Sequence, residues 1–467
     1  MHQSPHPARL RNIVASLLTL ALLPAIAFAT PLDDYVAKPD PAFTYDAKPA
    51  KEVVTPQYTA RTYRMVSQKW LDETIVDRPL WEHYVVVVVP NELKYEGALL
   101  FVSGGGNGAG DPPTADPAMA QIAVLTKSIV VDVKQIPNQV LRFKADTNPK
   151  YKDRGRKEDE LIAYAWDKFM RTGDPLWLPR LPMTKTVVRA MDVVQKEYPT
   201  VKGFFICGAS KRGWTTWTTA AVDKRVIGIA PAVIDLLNMV KSMDHHHAAY
   251  GFWAPAVGEY LEEDIFSRMH TPEFKALTDI VEPYSYIDRY TMPKYIVNSA
   301  GDQFFLPDSS QFYFDDLKGE KYLRYMPNTD HGLSIEAYFN VASFYNAVLT
   351  NTPRPKFSWK KNADGSLEIT CETKPTKVLL WQAVNPKARD FRLEEIGKAY
   401  VSTEVTESAP GVYRADVKAP AEGWTAFFLE VEFPNPSFPN PFKFTTSVSV
   451  LPDTYPTHAP EAAAPAK

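Results

Sequence analysis

The stretch Ile206-Cys207-Gly208-Ala209-Ser210-Lys211-Arg212-Gly213 constrains the chain most. An apolar run, Gly203-Phe204-Phe205-Ile206-Cys207, leads into it, and a helix-like run, Trp214 to Val222, leads out. The pattern is strand, sharp turn, helix, with one serine at the corner. Such a corner strains the serine backbone and lifts its Oγ clear of the sheet, which is the context of a nucleophile elbow. Small residues on either side make room where a Cβ would collide with a neighbouring element. The usual spacing is G-x-S-x-G; here Arg212 takes the last position and Gly213 follows. The bland alternative for such a serine is a helix N-cap.

Two later stretches decide between these readings. Pro293-Lys294-Tyr295-Ile296-Val297-Asn298-Ser299-Ala300-Gly301-Asp302 is a buried-strand pattern ending in a carboxylate. Tyr322 to His331 is another, ending in a histidine ahead of a helix. The order Ser210, Asp302, His331 is the chain order of α/β-hydrolase triads. Asp302 stands directly at a strand end, where the acid belongs; Asp308 follows a proline and reads as a helix N-cap.

Upstream, Gly97 to Ser103 reads as a strand that runs into Gly104-Gly105-Gly106-Asn107-Gly108. Small residues there let backbone N–H groups approach a developing alkoxide, and losing one such donor costs about 3–4 kcal/mol. Gly105, Gly106 and Asn107 are therefore candidate oxyanion donors, with the N–H of Lys211 as their partner across the site. Lys211 and Arg212 open a helix, where the macrodipole disfavours cations. They need carboxylate partners inside the protein or a negatively charged substrate, and Arg212 is a candidate substrate-binding residue.

Between the strand Val226 to Ile234 and the acid strand, residues 236–290 are too many for a simple crossover and imply a cap over the site. Its aromatic residues suit an apolar or sugar-like ligand. His246 and Trp253 are the candidate lining residues. Three consecutive histidines, His245 to His247, do not match the spaced ligands of a zinc site. Neither a metal nor a cofactor is expected. The charged run from Lys144 to Glu160 reads as a solvated loop ahead of a helix.

A formal charge of −3 over 467 residues argues against a nucleic-acid or anionic-membrane binder. Residues 1–29 read as a signal peptide: Arg9 and Arg11 precede an apolar run, and Ala27-Phe28-Ala29 is an A-x-A site. The expected product is exported, periplasmic or extracellular, with no membrane span after cleavage. Residues 30–352 form the expected α/β-hydrolase domain. Residues 353–452, with short strand patterns and the Asp364-Gly365 turn, form the expected β-sandwich. Residues 32–54 read as extended chain, and residues 453–467 as a disordered Pro/Ala tail.

Five runs carry a resemblance: Ser103 to Asn107, Arg180-Leu181-Pro182-Met183-Thr184-Lys185, Gly208 to Gly213, Tyr250 to Ala256, and Asn298 to Asp302. With them the chain resembles the PhoPQ-activated pathogenicity-related protein family, which includes autocrine proliferation repressors. The resemblance implies an α/β-hydrolase with an appended β-sandwich; it supplies no natural substrate. The elbow is also similar to that of glucuronoyl esterases, where a cation follows the serine. The reading is a serine hydrolase of a small-molecule, peptide or sugar ester or amide. The alternatives are a non-catalytic binding or signalling protein on the same scaffold and an exopeptidase. Glu262-Glu263 is the candidate anchor for a peptide amine in the last case.

Overall fold

The structure is a computed structural model and describes residues 1–2, 29–108 and 110–456. Almost all of the signal-peptide segment, and residues 457–467 of the tail, lie outside the described residues.

Eight strands build the central sheet: β1 (Tyr58–Lys69), β2 (Leu80–Pro90), β3 (Gly97–Val102), β4 (Ile129–Val133), β5 (Gly203–Ala209), β6 (Val226–Ala232), β7 (Lys294–Ser299) and β8 (Lys321–Met326). Their spatial order is β1-β2-β4-β3-β5-β6-β7-β8. β2 is antiparallel to both neighbours, and the strands from β4 to β8 are parallel. This is an α/β-hydrolase fold. The interior strands are apolar on both faces, as parallel strands covered by helices must be: every residue of β4 and of β7 is buried. In open sheets of this kind ligands bind beyond the carboxyl ends of the strands. Ser210, Asp302 and His331 all lie just past such ends, after β5, β7 and β8.

The C-terminal strands form two sheets. β9 (Phe357–Lys361), β10 (Leu367–Cys371), β13 (Glu407–Ala409) and β14 (Val412–Ala415) make a separate antiparallel sheet in the order β9-β10-β14-β13. β11 (Lys377–Asn385), β12 (Val401–Glu404), β15 (Trp424–Phe433), β16 (Phe442–Thr445) and β17 (Ser449–Leu451) continue the hydrolase sheet instead. The join is antiparallel, β8 to β16, with Leu323 opposite Thr445. One half of the appended region thus covers the edge that β8 would otherwise leave open.

Two segments differ from their sequence reading. Residues 32–54 carry a helix, Pro31–Ala37, started by a capping box between Thr30 and Asp33, and two short strands that pair with β1. The charged run before the helix Glu158–Thr172 is not a solvated loop throughout. Arg156 is 2 % exposed and is held by Asp146 at 2.6 Å and Glu263 at 2.7 Å. Among the described residues no helix is long and apolar enough to cross a membrane.

Candidate active site

Ser210 sits between β5 and the helix Lys211–Val222 with φ 58° and ψ −129°. Such a conformation is costly for a residue with a Cβ and persists only where its surroundings hold it. Here the Ser210 N–H donates to Ala232 O at 2.8 Å, and its own carbonyl accepts from Trp214 N–H at 2.9 Å. Ser210 holds the N-cap position, but its hydroxyl makes no capping bond. The displaced glycine is explained by packing. A Cβ on Gly213 would lie 2.8 Å from Ala232 O and 2.9 Å from Gly208 O, and one on Gly208 would lie 2.7 Å from Arg212 O. The helix runs so close to β5 and β6 that these positions exclude a side chain, while the arginine at 212 points into the cavity at Ser210.

Asp302 is buried, and its two oxygens lie 3.0 and 2.8 Å from His331 Nδ1. Phe304 N–H also donates to Asp302, at 2.7 Å. With Nδ1 donating to the carboxylate, Nε2 is left as the basic nitrogen. Nε2 is buried and has no hydrogen-bond partner; no bond joins it to Ser210 Oγ in this structure. The ring packs on Phe304 at a centroid distance of 4.3 Å, and the His331 backbone N–H donates to the Gln303 side chain at 3.0 Å.

Lys211 and Arg212 have internal carboxylate partners. Lys211 Nζ lies 2.9 Å from Glu158 and 3.0 Å from Asp159; Arg212 Nη2 lies 2.6 Å from Glu158. Arg212 Nε donates to Ile136 O. Burial opposes the charge of Glu158, but the hydrogen bond from Arg212 and the charges of Lys211 and Arg212 outweigh it and bring its pKa down to about 2. Glu158 itself holds a positive φ of 49° and is tied to Gln139 through both backbone and side chain. Sequence reasoning missed Glu158. The available signal was the pair of cations at a helix start, which demanded an acid without saying which one.

Two cavities meet at Ser210. One, of about 440 Å³, has Arg212, Glu158, Ser103 and Gly104 together with apolar walls from Phe101, Met119, Tyr338 and Val341. The other, of about 50 Å³, is walled by cap and core residues including Trp166, Trp214, Met243 and Phe266.

The remaining candidates fall out differently. The Lys211 N–H, in the first turn of its helix, has no intrahelical partner and is free to face an oxyanion. The backbone N–H of Asn107 is not available as a donor, because Gln139 O takes it. Gly105 and Gly106 stand one step out from the cavity, exposed, with their carbonyls accepting from the side chains of Gln139 and Gln135. The loop reaches the cavity at Ser103 and Gly104 instead. His246 does not line the site. It is 1 % exposed, its Nε2 accepts from Ala254 N–H at 3.1 Å, and burial brings its pKa down to about 3. Trp253 stacks on Phe266 at 4.0 Å and so backs a lining residue without being one. Asp308 binds His245 and Arg389 and is absent from the triad. Glu262 is taken by Lys150 and Tyr151, and Glu263 by Arg156, so neither is an open anchor for a peptide amine.

The model of the PhoPQ-activated pathogenicity-related protein family matches residues 32–392. The chain belongs to that family. It is 37 % identical over 478 residues, 95 % of each chain, to autocrine proliferation repressor protein A of Dictyostelium discoideum. Among solved structures it is similar to acetyl xylan esterase 1 from Thermoanaerobacterium sp. JW/SL YS485, with a TM-score of 0.48 and 13 % identity over 68 % of this chain and 93 % of that one. It is also similar to an acylaminoacyl peptidase of Pyrococcus horikoshii, with a TM-score of 0.43 and 15 % identity over 64 % of this chain and 43 % of that one.

Proposed function

We propose that this family member is an exported serine hydrolase that cleaves an ester or amide with Ser210 as nucleophile, His331 as base and Asp302 as the acid that orients it. The observation that carries the reading is His331. Its Nδ1 is committed to a buried carboxylate, while its Nε2 is left without a partner at the same strand-end face as a strained, uncapped serine.

In the proposed reaction Nε2 removes the proton from Ser210 Oγ as Oγ bonds to the substrate carbonyl carbon. Asp302 stabilises the imidazolium without taking its proton. The carbonyl oxygen, now an anion, meets the Lys211 N–H and the Gly104 N–H, since the Ser103 N–H is bonded to Val133 O. The imidazolium then gives its proton to the leaving alcohol or amine. Water repeats the sequence on the acyl-enzyme and frees the acid. Catalytic hydrogen bonds are often long before substrate arrives and tighten in the complex.

The missing Oγ–Nε2 bond also favours a second reading, a non-catalytic binding protein on this scaffold. A fluorophosphonate separates the two. The hydrolase reading expects covalent labelling of the folded protein that is abolished by Ser210→Ala. Labelling that survives in Ser210→Ala, or none at all in the native chain, removes it. Export rests on the pattern of residues 1–29 and expects a mature chain beginning at Thr30, read by N-terminal sequencing.

A further inference from the structure

Arg180 belongs to a motif that the reaction above leaves unused. It is 3 % exposed and is one of the walls of the 50 Å³ cavity at Ser210. Its Nη1 donates to Lys211 O at 2.6 Å and to Thr215 Oγ1 at 2.7 Å, and the guanidinium lies over Trp214 at 4.7 Å. Nε is buried without a hydrogen-bond partner, and no carboxylate lies within ion-pair distance of any of its nitrogens among the described residues. Leaving a buried cation unpaired is costly. Burial brings the Arg180 pKa down to about 9, so it still carries its charge at neutral pH.

The neighbourhood does not cancel that charge. Lys211 and Arg212 are matched by Glu158 and Asp159, and Asp159 also accepts from the Tyr260 hydroxyl at 3.0 Å. Three cations against two carboxylates leave one positive charge over. Arg180 and Lys211 are moreover the first residues of two helices, Arg180–Glu197 and Lys211–Val222, joined by the Nη1 bond. Two helix N-termini therefore add their partial positive charge at one place. The remaining walls include the apolar Trp166, Met243 and Phe304, and Asp159, whose carboxylate is held by Lys211 and the Tyr260 hydroxyl. A single buried water needs about 10–15 Å³ on this measure, so a cavity of this size has room for a carboxylate group.

We infer that this cavity is an anion subsite in which Arg180 binds a carboxylate placed close to the scissile bond, so that the substrates are acidic esters. The inference rests on the hydrolase reading for the word substrate, though not for the binding of the anion. The carboxylate can belong to the acyl half or to the alcohol half of the ester, and two probe pairs distinguish them. Mono-ethyl succinate against ethyl butyrate tests the acyl half. Carboxymethyl butyrate, the butyryl ester of glycolate, against ethyl butyrate tests the alcohol half.

The expected result is a preference of about a hundredfold in kcat/KM for the charged member of one pair, since a polar subsite strongly rejects an analogue that leaves it unfilled. Arg180→Gln should lower kcat/KM far more for the charged member than for the neutral one and so remove the preference; Arg180→Lys should keep part of it. Should Arg180 only brace the elbow through Lys211 O, both variants would slow charged and neutral esters alike, and the inference fails. Equilibrium dialysis of labelled succinate reads the site without any chemistry. Saturable binding to the Ser210→Ala protein, lost in Ser210→Ala/Arg180→Gln, supports the subsite even where no ester is cleaved. No binding together with no charge preference overturns it. A protein that turns over ethyl butyrate without preferring either acid sinks the subsite alone, whereas one that binds succinate and hydrolyses nothing sinks the hydrolase reading alone.

Discussion

Asp302 and Asp308 both follow β7, and each meets a histidine. Asp302 lies against Nδ1 of His331 at 2.8 Å, and Asp308 against Nε2 of His245 at 2.8 Å. By residue type and distance the pairs are alike. They differ in what the other ring nitrogen does. In His331 it is Nε2, without a partner. In His245 it is Nδ1, bonded to the Tyr455 hydroxyl at 2.9 Å. Asp308 is further held by Arg389 at 2.6 Å, and that pair is buried on both sides. Burial opposes the charge on Asp308, but His245 and Arg389 keep its pKa well below the usual carboxylate range. One pair keeps a base available; the other has every valence filled and fastens the cap helix Met239–Tyr250 to the C-terminal region. On the proposed reaction, what an Asp–His pair leaves unbonded separates a catalytic pair from a structural one.

The comparison breaks most sharply on His331. Replacing it with Ala should cost about 10⁴-fold or more in fluorophosphonate labelling and ester turnover, since a triad acts as a unit. Its thermal midpoint should fall by less than that of His245→Ala, because Asp302 keeps the Phe304 N–H and the His331 side chain is 15 % exposed, so that water can take its place. A His331→Ala protein that reacts at the native rate would make the open pair as structural as the closed one.

His245→Ala should do the reverse. It strips one partner from a buried carboxylate, and removing one member of a buried pair costs about 3–5 kcal/mol. Urea unfolding should show the loss as an earlier midpoint, while the fraction that remains folded labels at Ser210 as before. Loss of labelling with an unchanged midpoint would instead bring His245 into the reaction.

Glu158 supplies a third acid for the comparison, on the open side of the site. Its folded pKa of about 2 lies below the ordinary value of 4.5. A lowered carboxyl contributes stability that is present above the ordinary value and lost as pH falls toward the folded one. The stability difference between the native protein and Glu158→Gln should therefore be constant above about pH 5 and shrink between there and pH 2. Denaturant titrations at four or five pH values check this; a difference that is flat to pH 2 would mean that Lys211 and Arg212 do not hold the acid.

The open pair was legible in the sequence and the closed one was not. Asp302 and His331 each end a buried-strand pattern, and that pattern is local. Asp308 and His245 lie 63 residues apart, and nothing in either stretch names the other. The same limit explains Glu158. Nine charged residues within Lys150 to Glu160 look solvated, yet Arg156 is buried because Asp146 and Glu263 reach it from elsewhere. It also explains the edge between β8 and β16, where the strand pattern ending in His331 was readable but the pairing of Leu323 with Thr445 was not. The helix after Thr30 is a different miss. Thr30-Pro31-Leu32-Asp33 is a local capping signal, and proline content hid it.

The smallest effect tests how the closed pair is sealed. Tyr455 is 52 % exposed, and its hydroxyl occupies the last nitrogen of His245. The ring also lies 5.6 Å from His245 and under the Arg389 guanidinium at 5.6 Å. Tyr455→Phe keeps both ring contacts and removes the one hydrogen bond. With Nε2 donating to Asp308, Nδ1 needs a donor, and that donor is the tyrosine O–H. The cost should be about 0.5–1.5 kcal/mol, the net worth of one such bond. At a half-exposed residue water can replace part of it, which puts the value at the lower end of that range. A double-mutant cycle with His245→Ala should show the two losses coupled, because Tyr455 then has no nitrogen to fill. Additive losses would mean that the hydroxyl serves another partner, and that His245, like His331, carries a nitrogen open to something else.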